Sequence, residues 1–471
     1  MLILFICCMS LLIVGLDNTI VNVALPSIER DLHAPVSGMQ WTIAAYTLVL
    51  ASLLLLSGST ADRVGRRRTF QIGLVVFAAG SLLCGLAPSL GWLVAFRVVQ
   101  AIGGSMLNPV AMSIITNTFT GPRERARAIG VWGGVVGISM ALGPVVGGTL
   151  VHSVGWRAIF WINVPVAVAA LVLTALFVPE SRAPRPRRID PVGQVLVIVT
   201  LASLTYGIIE VPSMGWRSPL IIALAVTTVA ALAALIVYEL RRRDPLIDVR
   251  FFRSAPFSGA SVIAVSAFAA FGGFLFLNTL YLQDVRGLSP FEAGLCTLPI
   301  AAMTLVFAPL SGRLVGERGP RPSLMLSGIA IIASGLMLTR LTTTTSLVWL
   351  LASYAVFGLG FAVVNAPVTN TAVSGMPLAQ AGVAAAVAST SRQVGQSLGV
   401  AVAGSVLASG IAGSLRGGFT EASRAGWWII VGCGAVVLVL GTITTGRWAR
   451  GTAERTATRL TVDDTRIPVT S

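Results

Sequence analysis

Fourteen apolar runs, each near the roughly 20 residues a helix needs to cross a hydrocarbon core, follow one another along this chain and leave little room for anything else. They occupy residues 1–26, 38–57, 69–87, 91–115, 127–150, 158–178, 191–210, 218–238, 256–282, 291–311, 322–340, 346–367, 382–410 and 426–446. Lipid offers the backbone no hydrogen bonds, so such runs must satisfy their own, and helices do so. The expected fold class is all-α: a polytopic membrane protein with fourteen transmembrane helices. Only 11% of the 471 residues are charged, and the mean hydropathy is +0.86. A soluble domain carries about a quarter charged residues. The first run lacks a basic leader and continues through Asp17 and Asn22 to Pro26, so it reads as a retained helix and not a signal peptide.

The net charge of +15 raises nucleic acid as a partner, but the basic residues sit in short clusters between apolar runs and not along one face. The membrane surface explains them better, because basic residues accumulate on its cytoplasmic side. Taken alternately, one set of connections holds 24 of the 33 arginines: Arg63, Arg66, Arg67 and Arg68; Arg123, Arg125 and Arg127; Arg182, Arg185, Arg187 and Arg188; Arg241, Arg242, Arg243, Arg250 and Arg253; Arg313, Arg318 and Arg321; and those from Arg447 onward. The other set holds seven, so both termini are expected in the cytoplasm.

Every basic residue is arginine, and without lysine there is no P-loop lysine for nucleotide phosphates and no Schiff-base chemistry. Energy for uphill movement must come from elsewhere. Cys7, Cys8, Cys84, Cys296 and Cys433 lack metal-site or disulfide spacing, and His33 and His152 fall in short connections. No cofactor or metal is expected.

Asp17, with Asn18 and Asn22 beside it, lies inside the first apolar run. An ionisable group at membrane depth is costly and is rarely there without a role, which makes Asp17 the expected proton carrier. Arg97 is its counterpart in the fourth run, where Arg97, Gln100, Gly104 and Asn108 fall on one narrow stripe of a helix. That polar edge must face protein or a water-filled cavity. Two readings stand: Arg97 tunes Asp17 until substrate loosens the pair, or the two form a permanent lock between helices.

The chain also repeats weakly. Residues Leu56 to Arg67 align with Leu310 to Arg321, matching Gly58 with Gly312, Gly65 with Gly319 and Arg67 with Arg321. Parallel repeats are a transporter signature. They divide the chain into a six-helix half over 1–178, a segment 179–256 carrying two extra helices, a second six-helix half over 257–446, and a cytoplasmic tail over 447–471.

Four motifs in order carry a family resemblance. Gly58-Ser59-Thr60-Ala61-Asp62-Arg63-Val64-Gly65-Arg66-Arg67-Arg68 resembles the signature loop of the major facilitator superfamily, and Leu16 to Pro26 is similar to the first-helix motif of its fourteen-helix drug:proton antiporter branch. Arg97 to Gly104 resembles the fourth-helix motif, though Ala101 stands where glycine is usual; Gly133 to Gly148, with Gly143, Pro144 and Gly147, resembles the fifth-helix antiporter motif. Trp156 to Pro165 also fits. For the signature loop the resemblance implies a cytoplasmic gate latch of Gly58, Asp62, Arg63, Gly65 and Arg66; for Arg97 it implies a part in substrate or proton coupling.

Physically, Gly58 and Gly65 permit a tight turn, Asp62 can accept from a nearby helix N-terminus, and the arginines can bind carboxylates or lipid phosphates. A plain positive-inside anchor explains the arginines equally well. Gly133, Gly137, Pro144 and Gly148 share a helix face that lets another backbone approach. The resemblance puts that partner across the interface between halves. In the second half, Asn278, Asn365 before Pro367, Arg392, Gln393 and Gln396 could border a cavity, with Asn365 echoing Asn108 before Pro109. Arg392 either attracts an anionic group or snorkels. Trp41, Tyr46, Phe271, Phe274, Phe276 and Tyr281 could line an apolar pocket, or serve as interface belts and helix packing.

The expected function is secondary transport in the cell inner (plasma) membrane: export of a small amphipathic, drug-like or secondary-metabolite substrate in exchange for protons, by alternating access. A proton-independent facilitator or sensor keeps the fold and drops the coupling. A membrane-embedded enzyme would need a nucleophile with a base, paired carboxylates or a metal constellation within the membrane, and none is evident.

Overall fold

The computed structural model describes residues 1–119, 121–183, 189–242, 245–374, 376, 381–411 and 415–465. Arg185, Arg187, Arg188 and Arg243 lie outside the described residues, as do the surroundings of Gly133 and Gly137. Among the described residues every regular element is helical: α1 (Leu2–Leu32), α2 (Val36–Val64), α3 (Arg66–Gly85), α4 (Leu90–Thr118), α5 (Pro122–Ser153), α6 (Ala158–Trp161), α7 (Asn163–Phe177), α8 (Pro191–Met214) and α9 (Pro219–Arg241). The chain continues with α10 (Ala255–Leu280), α11 (Pro290–Cys296), α12 (Leu298–Arg318), α13 (Arg321–Leu338), α14 (Leu347–Ala362), α15 (Asn365–Val373), α16 (Ala381–Gly410), α17 (Leu415–Ile443) and α18 (Arg447–Thr465).

Among the described residues, twelve of the expected fourteen crossings are long and apolar enough to span a membrane, counting α6 with α7, α11 with α12, and α14 with α15 as single passes. The two outside that set are α5 and α16, of 32 and 30 residues. Short breaks within passes coincide with prolines at helix starts, as where α15 opens on Asn365-Ala366-Pro367 after Val363 and Val364. The first helix does not stop at Pro26. It runs on to Leu32 and ends at His33 in the left-handed region, φ 49°.

Small residues set which helices touch. A Cβ on Gly143 would collide with Thr19 of α1, and one on Gly147 would lie 2.6 Å from Ile20. On the other side of α5, a Cβ on Gly148 would strike the backbone of Pro290 and Phe291 in α11, and one on Gly294 that of Pro144. Thus α5 is gripped between α1 and α11, and close backbone approach supplies the dispersion contact that lipid cannot. The seam of α10 with α16, at Gly272, Gly395 and Gly399, is of the same kind.

Helix α8 wedges between α2 and α16, whereas α9 packs on α8 with most of its surface outward. Gln194 of α8 donates to the Ser52 carbonyl at 2.7 Å, Ser405 of α16 to the Ile208 carbonyl at 2.7 Å, and Gln40 of α2 to the Ala401 carbonyl at 2.6 Å. The aromatics of α10, and Tyr281 just after it, serve helix packing: Phe271 stacks on Phe361 at 4.2 Å and Phe274 on Phe357 at 4.1 Å, with Phe276 and Tyr281 fully buried.

The turn between α2 and α3 corrects two expectations. Gly58 lies inside α2 with open space where a Cβ would go, so it takes no part in the turn. Gly65 alone makes it, at φ +124°, a region costly for any residue with a Cβ. The α3 N-terminus is met by Glu180 and not by Asp62: the N–H groups of Arg67 and Arg68 donate to Glu180 at 3.1 and 3.3 Å. Asp62 instead accepts from Arg66 one turn away at 3.1 Å. The repeated turn ends α12 at Gly319, also at positive φ, +80°.

Candidate functional site

Helices α1, α2, α3, α4 and α7 close around Asp17. Four helices besides α1 contribute: Tyr46 from α2, Ser81 from α3, Arg97 and Gln100 from α4, and Asn163 at the start of α7. Each of these side chains, Asp17 included, is at most 1% exposed. Arg97 Nη1 donates to Asp17 Oδ2 at 2.5 Å, Gln100 Nε2 to Asp17 Oδ1 at 2.8 Å, and Asn163 Nδ2 to the same Oδ1 at 3.1 Å.

The donors are themselves held. Arg97 Nη1 also donates to Gln100 Oε1 at 2.7 Å, and its Nε to the Thr42 carbonyl at 3.1 Å. Its guanidinium carbon lies 4.1 Å from the centre of the Tyr46 ring, and a desolvated cation over an aromatic face gains about 2 kcal/mol. Gln100 Nε2 reaches Ser81 Oγ at 2.7 Å. An ionised carboxylate against a guanidinium is the pairing this network satisfies, and removing one partner of a buried pair costs about 3–5 kcal/mol. Two buried oxygens stay without a partner, Tyr46 Oη and Asn163 Oδ1.

The structure brings Asp17 and Arg97 together and places Tyr46 and Gln100 in the same buried cluster. Asn163 was overlooked. A lone amide in the apolar stretch Phe160-Trp161-Ile162-Asn163-Val164 is the same signal that marks Asn22.

The remaining candidates are spread out. Asn22 donates to the Asn18 carbonyl at 3.1 Å, and both side-chain oxygens are unpartnered. Trp41 donates to Glu210 of α8 at 3.0 Å and packs on Tyr206. Asn108 is half-buried with its Oδ1 unpartnered, Asn278 accepts from the Tyr354 hydroxyl, and Asn365 opens α15 half-buried. Arg392 donates to Thr369 of α15 and to Ser389 at 3.4 Å, so its recorded partners are hydroxyls. Gln393 has an unpartnered oxygen, while Gln396 is buried where α16 meets Gly272. None of these shares a recorded hydrogen bond with Asp17.

A multi-pass helical bundle that seals an ion pair and three amide or hydroxyl partners inside one group of helices is built as a membrane transporter, since such groups at membrane depth mark ion or substrate pathways. The chain belongs to the Major Facilitator Superfamily, whose family model matches residues 7–400. It is 39% identical over 401 residues to the tetracenomycin C resistance and export protein of Streptomyces glaucescens, covering 85% of this chain and 74% of that one. With the multidrug resistance protein Stp of Mycobacterium tuberculosis it shares 36% over 408 residues, 87% and 76% of the two chains. With the multidrug efflux pump LfrA of Mycolicibacterium smegmatis it shares 34% over 399, covering 84% and 79%. Among solved structures, a peptide transporter POT in complex with sulfate superposes with a TM-score of 0.68 at 16% identity, covering 97% of this chain and 95% of that one. That likeness concerns the fold.

Proposed function

We propose that this transporter is a proton-coupled antiporter of the plasma membrane that exports small amphipathic, drug-like or secondary-metabolite compounds by alternating access. The observation that carries the reading is the sealed Asp17–Arg97 pair with Gln100 and Asn163 on the same carboxylate. A carboxylate with no route to water in this conformation can exchange a proton only when the helices around it move. Coupling follows if substrate and proton favour opposite states of the pair. Export as the direction draws on relatives whose names are those of resistance and efflux proteins.

In this reading α5 and α16 are also crossings, bringing the passes to fourteen: two six-helix halves, 1–178 and 257–446, with α8 and α9 inserted. Their lengths of 32 and 30 residues exceed the roughly 20 needed. Both termini are cytoplasmic, the side to which the arginine asymmetry assigns them. Asn18, Asn22 and Asn108, with Asn278, Asn365, Arg392, Gln393 and Gln396 of the second half, are proposed to border the substrate path when the halves part. Gly65, Asp62, Arg63 and Arg66 form the cytoplasmic gate, and Gly143, Pro144, Gly147 and Gly148 keep α5 sealed against α1 and α11.

A second reading has an observation behind it: a carboxylate with three donors and no exposure also describes a permanent helix lock. The two are separated by efflux of a fluorescent amphipathic cation from proteoliposomes with and without an imposed pH gradient. The antiporter accelerates efflux when the gradient is present. Equal rates in both conditions leave the lock, and a proton-independent facilitator, as the account.

A further inference from the structure

The two copies of the repeated turn meet opposite chemistry. In the first, the segment after α7 folds back onto the turn between α2 and α3: the Arg66 N–H donates to the Ser181 carbonyl at 2.9 Å, the Ala183 N–H to the Asp62 carbonyl at 3.1 Å, and Glu180 takes the N–H groups of Arg67 and Arg68. The protein thus supplies its own anion to the positive end of α3. In the second copy the corresponding segment, after α17, folds back onto the turn between α12 and α13, but it brings Arg447 and Arg450.

The result is a recess of about 230 Å³ at the ends of four helices, lined by Arg318 and Arg321 on one side and Thr445, Gly446, Arg447 and Arg450 on the other. All four guanidinium groups are exposed, none makes a recorded ion pair among the described residues, and no acidic residue lines the recess. The N-termini of α13, beginning at Arg321, and α18, beginning at Arg447, both open onto it. Like charges gathered around a concavity repel unless a counter-ion joins them. Beside it Trp448 stands 65% exposed, in the manner of an aromatic at a membrane–water boundary.

We propose that this recess binds the phosphate headgroup of an acidic phospholipid from the leaflet on its side of the membrane, filling in the second half the place that Glu180 fills in the first. Arginine forks match phosphate oxygens in pairs, and helix N-termini favour the same charge. The neighbouring tryptophan and the helix ends favour a lipid over a soluble anion as the source. The bound lipid would fasten α18 to the turn between α12 and α13.

Native mass spectrometry of the full chain from mixed micelles of phosphatidylglycerol and phosphatidylcholine tests this. The unmodified protein is expected to retain phosphatidylglycerol in preference to phosphatidylcholine. Each arginine near an anionic lipid contributes roughly a fivefold factor, so the double variant Arg447→Gln, Arg450→Gln should retain it about 25-fold less, with partial recovery in Arg447→Lys, Arg450→Lys. Arg241→Gln, at the end of α9 and outside the recess, should leave retention unchanged, and melting in phosphatidylcholine should be the same for all variants. Equal retention by the native protein and the Gln variant would overturn the site. Displacement of the lipid by inorganic phosphate at millimolar concentration would overturn the membrane as its source.

Discussion

Arg97 Nη1 lies 2.5 Å from Asp17 Oδ2 with neither side chain meaningfully exposed, so each charge depends on the other for its solvation. Replacing Arg97 by Ala leaves an uncompensated carboxylate, and a loss of about 3–5 kcal/mol in stability is expected. Arg97→Lys keeps the charge but cannot serve Asp17, Gln100 and the Thr42 carbonyl together, since an ammonium lacks the planar fork. Thermal unfolding in detergent and substrate efflux should both fall in the order native, Lys, Ala.

Asn163→Ala removes one donor from Asp17 Oδ1 without touching the ion pair. The expected cost is about 1–3 kcal/mol, with gradient-driven efflux reduced and the protein still folded. Melting temperature and initial efflux rate measured on one preparation check both halves of this statement.

How much of this was legible beforehand depends on what kind of signal each feature leaves. Helices such as α1 and α10 are plain because membrane length and apolarity coincide. The bounds of α1 were less so, because Pro26 reads as a stop in water and is tolerated where helix neighbours support the backbone. The pairing of Asp17 with Arg97 could be inferred because two opposite charges at membrane depth have few partners to choose from. Asn163 was missed because a single amide changes hydropathy little. Glu180 could not be found at all: its contact with α3 is made only when the segment after α7 folds back across more than a hundred residues of chain.

Gly143 and Gly148 bring α5 against α1 and α11 on opposite sides. Gly143→Val places its branches into Thr19 and Gly148→Val into the backbone of Pro290, and overpacking of this kind costs about 1–3 kcal/mol. Both variants should reach the membrane yet transport poorly. Gly58→Ala, where nothing lies within 4 Å, should behave as the native protein; surface expression alongside efflux distinguishes the three.

Glu180→Ala deprives the α3 N-terminus of its acceptor, a change worth about 0.5–2 kcal/mol at a helix cap. The segment at 179–183, still joined through the Ser181 and Ala183 backbone, should loosen from the turn between α2 and α3. Faster proteolytic nicking there, with little change in the melting of the bundle, is the expected result.

The central claim is that Asp17 carries the coupling proton, and the most direct measurement is proton movement elicited by substrate. Proteoliposomes holding a pH-sensitive dye are given a substrate gradient and no initial pH difference, for the native protein and for Asp17→Asn, with substrate exchange recorded in parallel. The account predicts a substrate-dependent pH change for the native protein and none for Asp17→Asn, even while that variant still exchanges substrate. A pH change of equal size in both proteins would contradict it.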